Sequence, residues 1–353
     1  MVKNVINYFK SNLLRISSSM PTPKVIKGNF GKFILSKLPV SLLYFGLPRM
    51  VNIEPINICN LKCALCPYPE MDRKKVVMDF EKYKILIDEL KLFKPKIYFT
   101  AWGDALLHPK FIEMIKYSSA NGIRAGFSSN FCMPLTDKKI KGLVLSGINY
   151  IIIDMDGATK ETYLKYRKNG DFDRLIKNVK KLVYYKKKYN PHLTLKAQCL
   201  IMKQNEHELK EIETLSRNLG FDTLHYYPIF LKQNWSKCSF DTEKREKEGK
   251  EFLPENQEYS RYNEKFILKE AQAVCPYIKQ AAISSSGNMV ICCNDVNSSV
   301  IVGNVFEEGF MRIWKSRLYK QIRKDIIIKK FPICKNCDIS MFKLKKEILF
   351  NKK

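Results

Sequence analysis

The chain contains 353 residues, of which 45% are apolar and 12% aromatic. This composition is typical of a globular protein with a sizeable core and excludes a disordered chain. Lysine and arginine number 62 against 35 aspartate and glutamate, which gives a formal net charge of +27. Such an excess indicates an anionic partner or substrate without naming its class.

Two apolar stretches lie within residues 1–48. Residues 2–16 alternate apolar and polar side chains at helical spacing, and a second apolar patch covers 33–47. The longest uncharged apolar run near the N-terminus, 38–48, has 11 residues, whereas a membrane-spanning helix needs about 20. Basic residues interrupt the first stretch, so it lacks the pattern of a signal peptide. We therefore expect a cytoplasmic protein, in which these stretches either pack on the fold or contact the inner membrane face peripherally.

Apolar strands alternate with amphipathic helices over residues 49–235. Six strands are predicted at 51–58, 96–101, 123–128, 150–154, 193–201 and 223–229, and five helices at 79–93, 109–121, 137–146, 172–188 and 206–219. This alternation is typical of a parallel sheet with helical crossovers. Six such units form an incomplete barrel, so we predict an α/β fold with a partial, TIM-like (β/α)6 barrel that is open on one side.

The pattern changes after the barrel region. Residues 236–272 are rich in charged side chains and predict a linker or an exposed helix. Residues 273–340 contain a hairpin pattern, with a Ser-Gly-Asn turn at 286–288, and predict a second, small α+β domain. Residues 341–353 predict a basic tail.

The eleven cysteines indicate the chemistry of the protein. Their number is odd and no export signal precedes them, so metal ligation or redox chemistry explains them better than a disulfide framework does. Three scattered cysteines, Cys132, Cys199 and Cys238, are interpreted as ordinary thiols because free cysteine packs like a small apolar residue. The remaining cysteines form two groups about 200 residues apart.

The first group is Cys59-Asn-Leu-Lys-Cys63-Ala-Leu-Cys66, directly after the first predicted strand. Zinc usually takes four protein ligands at a structural site, and this loop offers three. Three thiolates can bind three irons of a 4Fe–4S cluster and leave the fourth iron open to a small molecule. The carboxyl end of a barrel strand is also where such folds place their chemistry.

This cysteine spacing after a first strand resembles that of the radical S-adenosylmethionine (SAM) superfamily, and further family motifs recur over about residues 50–340. Trp102-Gly103-Asp104 stands where the family has Gly-Gly-Glu, with aspartate in place of glutamate. Leu65 stands where an aromatic residue often precedes the third cysteine. The resemblance implies that the cluster is held by Cys59, Cys63 and Cys66, and that SAM is bound by Gly103, Asp104, Ser129, Asn130, Asp154, Asp156 and Arg167.

The resemblance also implies a mechanism. The open iron would bind the amino and carboxylate groups of SAM, and one electron from the reduced cluster would cleave the sulfonium bond. The resulting 5′-deoxyadenosyl radical would abstract hydrogen from a substrate carbon, while the barrel orients the substrate and excludes water. An external electron donor such as flavodoxin or ferredoxin is therefore expected as a partner.

The second group consists of Cys275, the pair Cys292-Cys293, and Cys334-Lys-Asn-Cys337. Four thiolates can complete a 4Fe–4S cluster or form a zinc ribbon, and the spacing alone favours neither. The run resembles the auxiliary-cluster domain called SPASM, or twitch when it is shorter. That resemblance implies one auxiliary 4Fe–4S cluster, and the Gly-x₄-Cys spacing after Gly287 favours Cys292 over Cys293. The expected ligands are Cys275, Cys292, Cys334 and Cys337.

An auxiliary cluster can accept an electron from a substrate radical and so turn hydrogen abstraction into a two-electron oxidation. Oxidation of an alcohol also needs a proton acceptor. Asp295, just after the cysteine pair, is the candidate catalytic base, with a solvent-exposed turn carboxylate as the alternative. His225 and Tyr226 end the sixth predicted strand and either face the substrate or pack in the core.

The first functional hypothesis is therefore a radical SAM oxidoreductase or modifying enzyme acting on a small-molecule or carbohydrate-like substrate. A peptide maturase and an enzyme modifying a lipid at the membrane surface are the alternatives. The non-enzymatic alternative is a basic binding protein in which both cysteine groups bind structural zinc. We do not expect a nucleic-acid partner, because no RNA-binding motif accompanies the positive charge.

Overall fold

The computed structural model of the chain describes residues 46–231, 247–265, 267–269, 275–335, 337 and 347–350. The segments outside the described residues include 2–16, most of 33–47, Cys238, part of the predicted linker and most of the predicted tail. Within the described ranges, no helix combines the length and the apolar character needed to cross a membrane.

A single mixed sheet organises the described part of the chain. Its strands are β1 (Met50–Ile53), β2 (Lys96–Phe99), β3 (Ala125–Ser129), β4 (Tyr150–Asp154), β5 (Thr194–Ile201), β6 (Thr223–Pro228), β7 (Gln280–Ile283), β8 (Asn288–Val290), β9 (Ile301–Asn304) and β10 (Glu347–Leu349). The order across the sheet is β10-β6-β5-β4-β3-β2-β1-β7-β8-β9. Strands β1 to β6 run parallel in sequence order, which confirms the predicted α/β fold with a partial barrel.

Helices connect the parallel strands. They are α1 (Phe80–Leu90), α2 (Phe111–Ala120), α3 (Asp137–Val144), α4 (Lys160–Tyr166), α5 (Phe172–Tyr189) and α6 (Leu209–Leu219). The C-terminal region adds α7 (Val305–Glu308), α8 (Phe310–Lys315), α9 (Arg317–Ile327) and α10 (Pro332–Lys335). Helix α4 was not predicted, because seven residues are too few to establish a helical period. Thr159 caps it by accepting a hydrogen bond from the amide of Thr162.

Strand β5 shows how the barrel separates its two faces. Leu195, Ala197 and Cys199 are fully buried, and they alternate with the half-buried Lys196 and Gln198. Because successive side chains of a strand point to opposite faces, the apolar residues pack on one side and the polar ones face the other. The polar face is the barrel lumen, since Gln198 contacts the side chain of Asp154 there.

The strands of the C-terminal region join the sheet of the barrel. Strand β7 pairs in parallel with β1, from Met50 opposite Gln280 to Ile53 opposite Ile283. Strand β10, within the segment predicted as a tail, pairs antiparallel with β6. Both edges of an open barrel present unpaired backbone groups, and these two strands satisfy them. Periodicity within each segment cannot reveal such pairing between distant segments.

Candidate active site

The first cysteine group lies in the loop that follows β1. Cys63 is buried, and Cys59 and Cys66 are partly buried. Burial raises the pKa of Cys59 and of Cys63 above that of a free thiol. Arg167 Nη1 lies 3.7 Å from Cys63 Sγ, and Asn130 Nδ2 lies 4.0 Å from Cys59 Sγ. Buried thiolates need the positive charge of a metal centre, so this donor set fits the three protein ligands of a 4Fe–4S cluster.

The three thiols of the first cysteine group do not need to converge on a single metal ion. Within the described ranges, no three Cys, His, Asp or Glu side chains converge as the ligands of a single ion would. In a 4Fe–4S cluster each thiolate binds a different iron, so the cluster assignment requires no such convergence.

Gly103 allows the loop after β2 to lie directly against the segment that leads into Cys59. A Cβ atom at Gly103 would come 2.2 Å from the carbonyl oxygen of Ile56 and 2.8 Å from the amide nitrogen of Ile58. The next amide, that of Asp104, donates a 2.9 Å hydrogen bond to the carbonyl of Ile58. Only glycine therefore permits this close approach of two backbones.

Asp104 joins the loops after β2 and β3. Its carboxylate accepts hydrogen bonds from Ser129 Oγ at 2.9 Å and from Asn130 Nδ2 at 2.8 Å. It also accepts one from the amide of Leu106 at 3.0 Å. Burial raises the pKa of Asp104, and these hydrogen bonds oppose that effect. Three predicted SAM residues thus lie together, and binding of SAM by Asp104 itself stays a prediction.

Arg167 bridges the first cysteine group and the end of β4. Its Nε lies 2.5 Å from Asp156 Oδ2 and its Nη2 lies 3.1 Å from Asp154 Oδ2. Burial alone would lower the pKa of Arg167, because it disfavours the charged guanidinium. The negative charges of Asp154 and Asp156 have the larger, opposite effect, so the pKa of Arg167 lies above its usual value. Burial raises the pKa of Asp154 to about 6, although Arg167 opposes this shift.

Asp156 is fully buried behind the guanidinium. Its Oδ1 accepts a 2.8 Å hydrogen bond from the amide of Leu200. The structure thus shows Asp156 orienting Arg167, while direct contacts of Asp154, Asp156 and Arg167 with SAM stay predictions.

A row of polar side chains crosses four adjacent strands in register. Asp154 of β4 pairs with Gln198 of β5, Gln198 with His225 of β6, and His225 with Glu347 of β10. Gln198 Nε2 donates to Asp154 Oδ1 at 3.2 Å, and His225 Nε2 lies 3.3 Å from Glu347 Oε1. Sequence reasoning missed Gln198 and Glu347. The alternation of polar residues in the fifth strand could have revealed Gln198. Tyr226 packs in the core instead, and its hydroxyl donates to the carbonyl of Leu209.

The thiols of the second cysteine group lie near enough to one another to shift each other's pKa. Burial, and then the neighbouring thiols of Cys292 and Cys337, raise the pKa of Cys275 to about 12. Burial and the thiols of Cys275, Cys292 and Cys337 likewise raise the pKa of Cys334 to about 12. The four thiols predicted as ligands therefore lie close together and fit a fully ligated 4Fe–4S cluster. Cys293 lies beside Cys292, and the choice between the two stays a prediction.

Asp295 occupies a turn behind the cysteine pair. Its side-chain oxygens accept hydrogen bonds from the amides of Ser299 at 2.9 Å and Val300 at 3.1 Å. The residue is 5% exposed, so the alternative of a solvent-exposed carboxylate is wrong. Asp295 lines a small cavity of about 20 Å³, room for about one water molecule, together with Trp102 and Cys292. Its role as catalytic base stays a prediction, and its contacts hold the turn in place.

A buried ion pair links the barrel to this C-terminal region. Glu54, one residue after β1, makes two 2.8 Å hydrogen bonds with the guanidinium of Arg73. It also accepts hydrogen bonds from the amides of Ser285 at 3.0 Å and Trp102 at 3.3 Å. Arg73 Nε donates to the carbonyl of Val296 at 2.6 Å. These five residues, named here the Glu54 network, connect the Gly103 loop to the loop that carries Cys292.

Comparison with known proteins agrees with this geometry. Residues 53–215 match the Radical SAM superfamily, and residues 275–338 match SPASM, an iron–sulfur cluster-binding domain. The chain is 25% identical over 179 residues to the tungsten-containing aldehyde ferredoxin oxidoreductase cofactor-modifying protein of Pyrococcus furiosus, covering 50% of each chain. It is 26% identical over 199 residues to the PqqA peptide cyclase of Bradyrhizobium diazoefficiens, covering 53% of this chain and 50% of that protein. The chain thus spans about half the length of these curated relatives.

A solved structure supports the fold. Streptococcus suis SuiB, bound to precursor peptide SuiA, matches with a TM-score of 0.58 at 13% identity, covering 91% of this chain and 80% of that one. The two sequence matches contain both cysteine groups and imply a SAM-binding 4Fe–4S cluster, SAM itself and an auxiliary cluster. The chain belongs to the radical SAM superfamily and carries a C-terminal SPASM-type cluster domain.

Proposed function

We propose that this chain is a radical SAM oxidoreductase that acts on a small, carbohydrate-like substrate held in the barrel lumen. The observation that carries the proposal is the row of polar side chains on the lumen face, in which Asp154 binds the guanidinium beside Cys63 and Gln198 and His225 follow in register. When bound, the first cluster and SAM supply hydrogen abstraction from a substrate carbon, and the auxiliary cluster supplies a site for one electron. The residues of the chain bind the substrate, orient it and accept a proton.

The lumen offers aromatic faces and the ammonium group of Lys196. The rings of Tyr98 and Tyr150 stack with centroids 6.1 Å apart, and Lys196 Nζ lies 5.5 Å from the centroid of Tyr150. Among the described residues, no carboxylate lies within ion-pair distance of Lys196. Aromatic rings suit the C–H faces of a sugar, and an ammonium suits a carboxylate or phosphate group. This lining supports an anionic, carbohydrate-like substrate.

His225 is the proton acceptor that the contacts favour. It lies in the same row as Asp154, whose carboxylate binds the guanidinium beside Cys63. Burial lowers the pKa of His225, with Glu347 acting in the opposite direction. A neutral imidazole at pH 7 can accept a proton from a substrate hydroxyl. Asp295 remains the alternative acceptor, although both its oxygens already accept backbone hydrogen bonds.

A peptide substrate is the second candidate, because the similar proteins include a peptide cyclase and a protein solved with a precursor peptide. The membrane-lipid alternative depends on residues 2–16 and 33–47, most of which lie outside the described part of the chain.

The first test is anaerobic reconstitution, followed by iron and sulfide counts and electron paramagnetic resonance of the reduced protein with and without SAM. We expect about eight irons per chain and a SAM-dependent change of the signal. The triple variant Cys59→Ala, Cys63→Ala and Cys66→Ala should keep about four irons. A protein that contains zinc in place of iron, or a resonance signal that SAM does not change, would contradict the proposal. Either result would favour the alternative of a basic binding protein with structural zinc.

The second test measures the release of 5′-deoxyadenosine when candidate substrates, anionic sugars or peptides, are added separately. Anionic sugars should stimulate release, and Lys196→Met should raise their KM about tenfold, since a charge-assisted hydrogen bond contributes about 1.5–3 kcal/mol. Lys180→Met, on the exposed face of α5, is the matched control and should leave KM unchanged. Stimulation by peptides alone would replace the first substrate class by the second.

A further inference from the structure

We propose that Lys75 binds an anionic group of the substrate, a carboxylate or a phosphate, at the boundary between the two cysteine groups. This inference rests on the proposed function and deepens it, because it assigns a specificity-determining residue to the anionic substrate class. The lumen cation, Lys196, lies within β5 towards the amino ends of the strands and is a separate feature.

The backbone on both sides of Lys75 is held by the side chain of Asn57. Nδ2 of Asn57 donates a 2.9 Å hydrogen bond to the carbonyl of Lys74, and its Oδ1 accepts a 2.6 Å hydrogen bond from the amide of Val76. Asn57 is buried and lies two residues before Cys59. Because consecutive Cα atoms are about 3.8 Å apart, this anchor is within about 8 Å of the first cluster ligand. The main chain that carries Lys75 is therefore fixed next to the first cysteine group.

The side chain of Lys75 lies over the ring of Tyr68. Its Nζ is 4.0 Å from the centroid of that ring, and Tyr68 lies two residues after Cys66. An ammonium over an aromatic face is attracted by the negative potential of the ring, so this contact fixes the position of the charge. Lys75 is thus tied to both ends of the first cysteine loop, through Asn57 at its start and Tyr68 at its end.

Tyr68 also connects Lys75 to the second cysteine group. Tyr68 and Trp102 pack against the buried side chains of Met71 and Val296. Val296 lies three residues after Cys293, in the turn that follows the cysteine pair. The ammonium of Lys75 therefore stands at the boundary between the two groups. A substrate that loses hydrogen at the first group and an electron to the second must reach this boundary.

The position of Lys75, rather than its charge alone, distinguishes it from the other lysines. Among the described residues, no carboxylate lies within ion-pair distance of Lys75, whereas the nearby Arg73 is bound by Glu54. Exposed lysines elsewhere in the chain also lack such a partner, but Lys75 is held beside both cysteine groups. Partial burial, and then the positive charge of Arg73, lower the pKa of Lys75. An ammonium that is partly withdrawn from water attracts an anion more strongly than a fully solvated one does.

The chemistry of the lysine side chain suits the charged end of a small substrate. An ammonium is a compact charge with three donors, and it forms charge-assisted hydrogen bonds with carboxylate and phosphate oxygens. A substrate held at one end by a fixed charge has fewer orientations available to its other atoms. Lys75 would therefore hold the anionic group at the boundary, while the carbon that loses hydrogen extends into the barrel.

The binding test uses anaerobic titration calorimetry of the reconstituted, SAM-loaded protein with glucose 6-phosphate, glucuronate and glucose as probes. Lys75→Met should raise the Kd of at least one of the two charged sugars about tenfold and leave that of glucose unchanged, whereas Lys75→Arg should keep most of the affinity. The matched control is Lys74→Met, which removes the same charge from the adjacent exposed residue and should change each Kd less than twofold. Failure of both charged sugars to bind, or equal weakening in the Lys74 and Lys75 variants, would overturn the proposal.

A second measurement needs no variant and separates the substrate from SAM, which also carries a carboxylate. Acetylation of lysines in the reconstituted wild-type protein is read by mass spectrometry. The charged sugar that binds should protect Lys75 but not Lys74, both in the presence and in the absence of SAM. Protection of Lys75 by SAM alone, with no further effect of either charged sugar, would overturn the proposal in favour of a contact with the SAM carboxylate.

A third readout, the formation of 5′-deoxyadenosine from SAM in the same mixtures, separates this inference from the proposed function. If none forms under reducing conditions, but Lys75→Met still weakens binding of a charged sugar, the proposed function fails and the anion site stands. If 5′-deoxyadenosine forms with a charged sugar, but Lys75→Met changes neither the Kd nor the KM of that sugar, only the assignment of Lys75 fails.

Discussion

Removal of Arg73 should destabilise the folded protein strongly, because it leaves Glu54 charged and buried. The Glu54 side chain is 2% exposed and that of Arg73 is 14% exposed. Breaking a buried ion pair by removing one partner costs about 3–5 kcal/mol. Two backbone amides and the Ser285 hydroxyl still reach Glu54, so Arg73→Met should lie near the lower end of that range. We expect a loss of about 3 kcal/mol, or about 6 °C in Tm at roughly 2 °C per kcal/mol.

The pH dependence of this loss follows from the pKa of Glu54. Burial raises that pKa, but Arg73 and the amides of Ser285 and Trp102 outweigh burial and bring it below the usual value. The pair therefore stabilises the wild-type protein above pH of about 4.5, and this contribution is lost as the pH falls through the lower, folded pKa. In Arg73→Met the pKa of Glu54 should rise instead. The deficit of the variant should accordingly shrink as the pH falls from 7 towards 5.

Thermal unfolding of the cluster-loaded protein under anaerobic conditions measures these effects. Glu54→Gln removes the charge that needs a partner, so the double variant Glu54→Gln with Arg73→Met should be more stable than Arg73→Met alone. Arg217→Met is the control, because Arg217 is 54% exposed and its pair with Glu213 contributes less than about 1 kcal/mol. A double variant whose loss equals the sum of the two single losses would refute the assignment of a coupled, buried pair.

Four further substitutions test the site. Gly103→Ala places a Cβ 2.2 Å from the carbonyl of Ile56 and should abolish the SAM-dependent change of the paramagnetic resonance signal while the second cluster remains. Arg167→Lys keeps one charge but loses the fork that binds two carboxylates, and SAM affinity measured by equilibrium dialysis should fall about tenfold. Cys292→Ala should lower the iron count from about eight to about four, whereas Cys293→Ala should leave it unchanged. The reverse result would assign Cys293 as the ligand.

Much of the barrel could be predicted because each of its elements carries its own pattern. The strand predicted at 150–154 coincides with Tyr150–Asp154, and the helix predicted at 172–188 corresponds to Phe172–Tyr189. Helix α5 begins after Asp171, whose side chain accepts a hydrogen bond from the amide of Arg174. An aspartate at this position is an N-cap signal that can be recognised in the sequence. The first strand was predicted at 51–58 but ends at Ile53, because residues 54–58 extend as a loop that Gly103 and Asp104 hold.

The features that were missed depend on contacts between distant parts of the chain. Glu54 and Arg73 bind residues of the C-terminal region more than 200 positions away, and Glu347 reaches His225 through a strand of three residues. No periodicity within one segment encodes such a contact. Glu54 and Arg73 carry charge into buried or largely buried positions, and a charged residue within a predicted apolar strand, as Glu54 is within 51–58, is the one local signal available.

Asp104 shows how a motif residue can keep its position and change its contacts. Glutamate is the family residue here, and the shorter aspartate of this chain directs both oxygens to Ser129, Asn130 and Leu106. Those hydrogen bonds hold Asn130, whose amide nitrogen lies 4.0 Å from Cys59 Sγ. The residue thus aligns the loops after β2 and β3 with the first cysteine group. Any SAM contact by Asp104 would have to use lone pairs that these donors leave, so we predict that SAM recognition by this chain depends more heavily on Asn130 and Arg167.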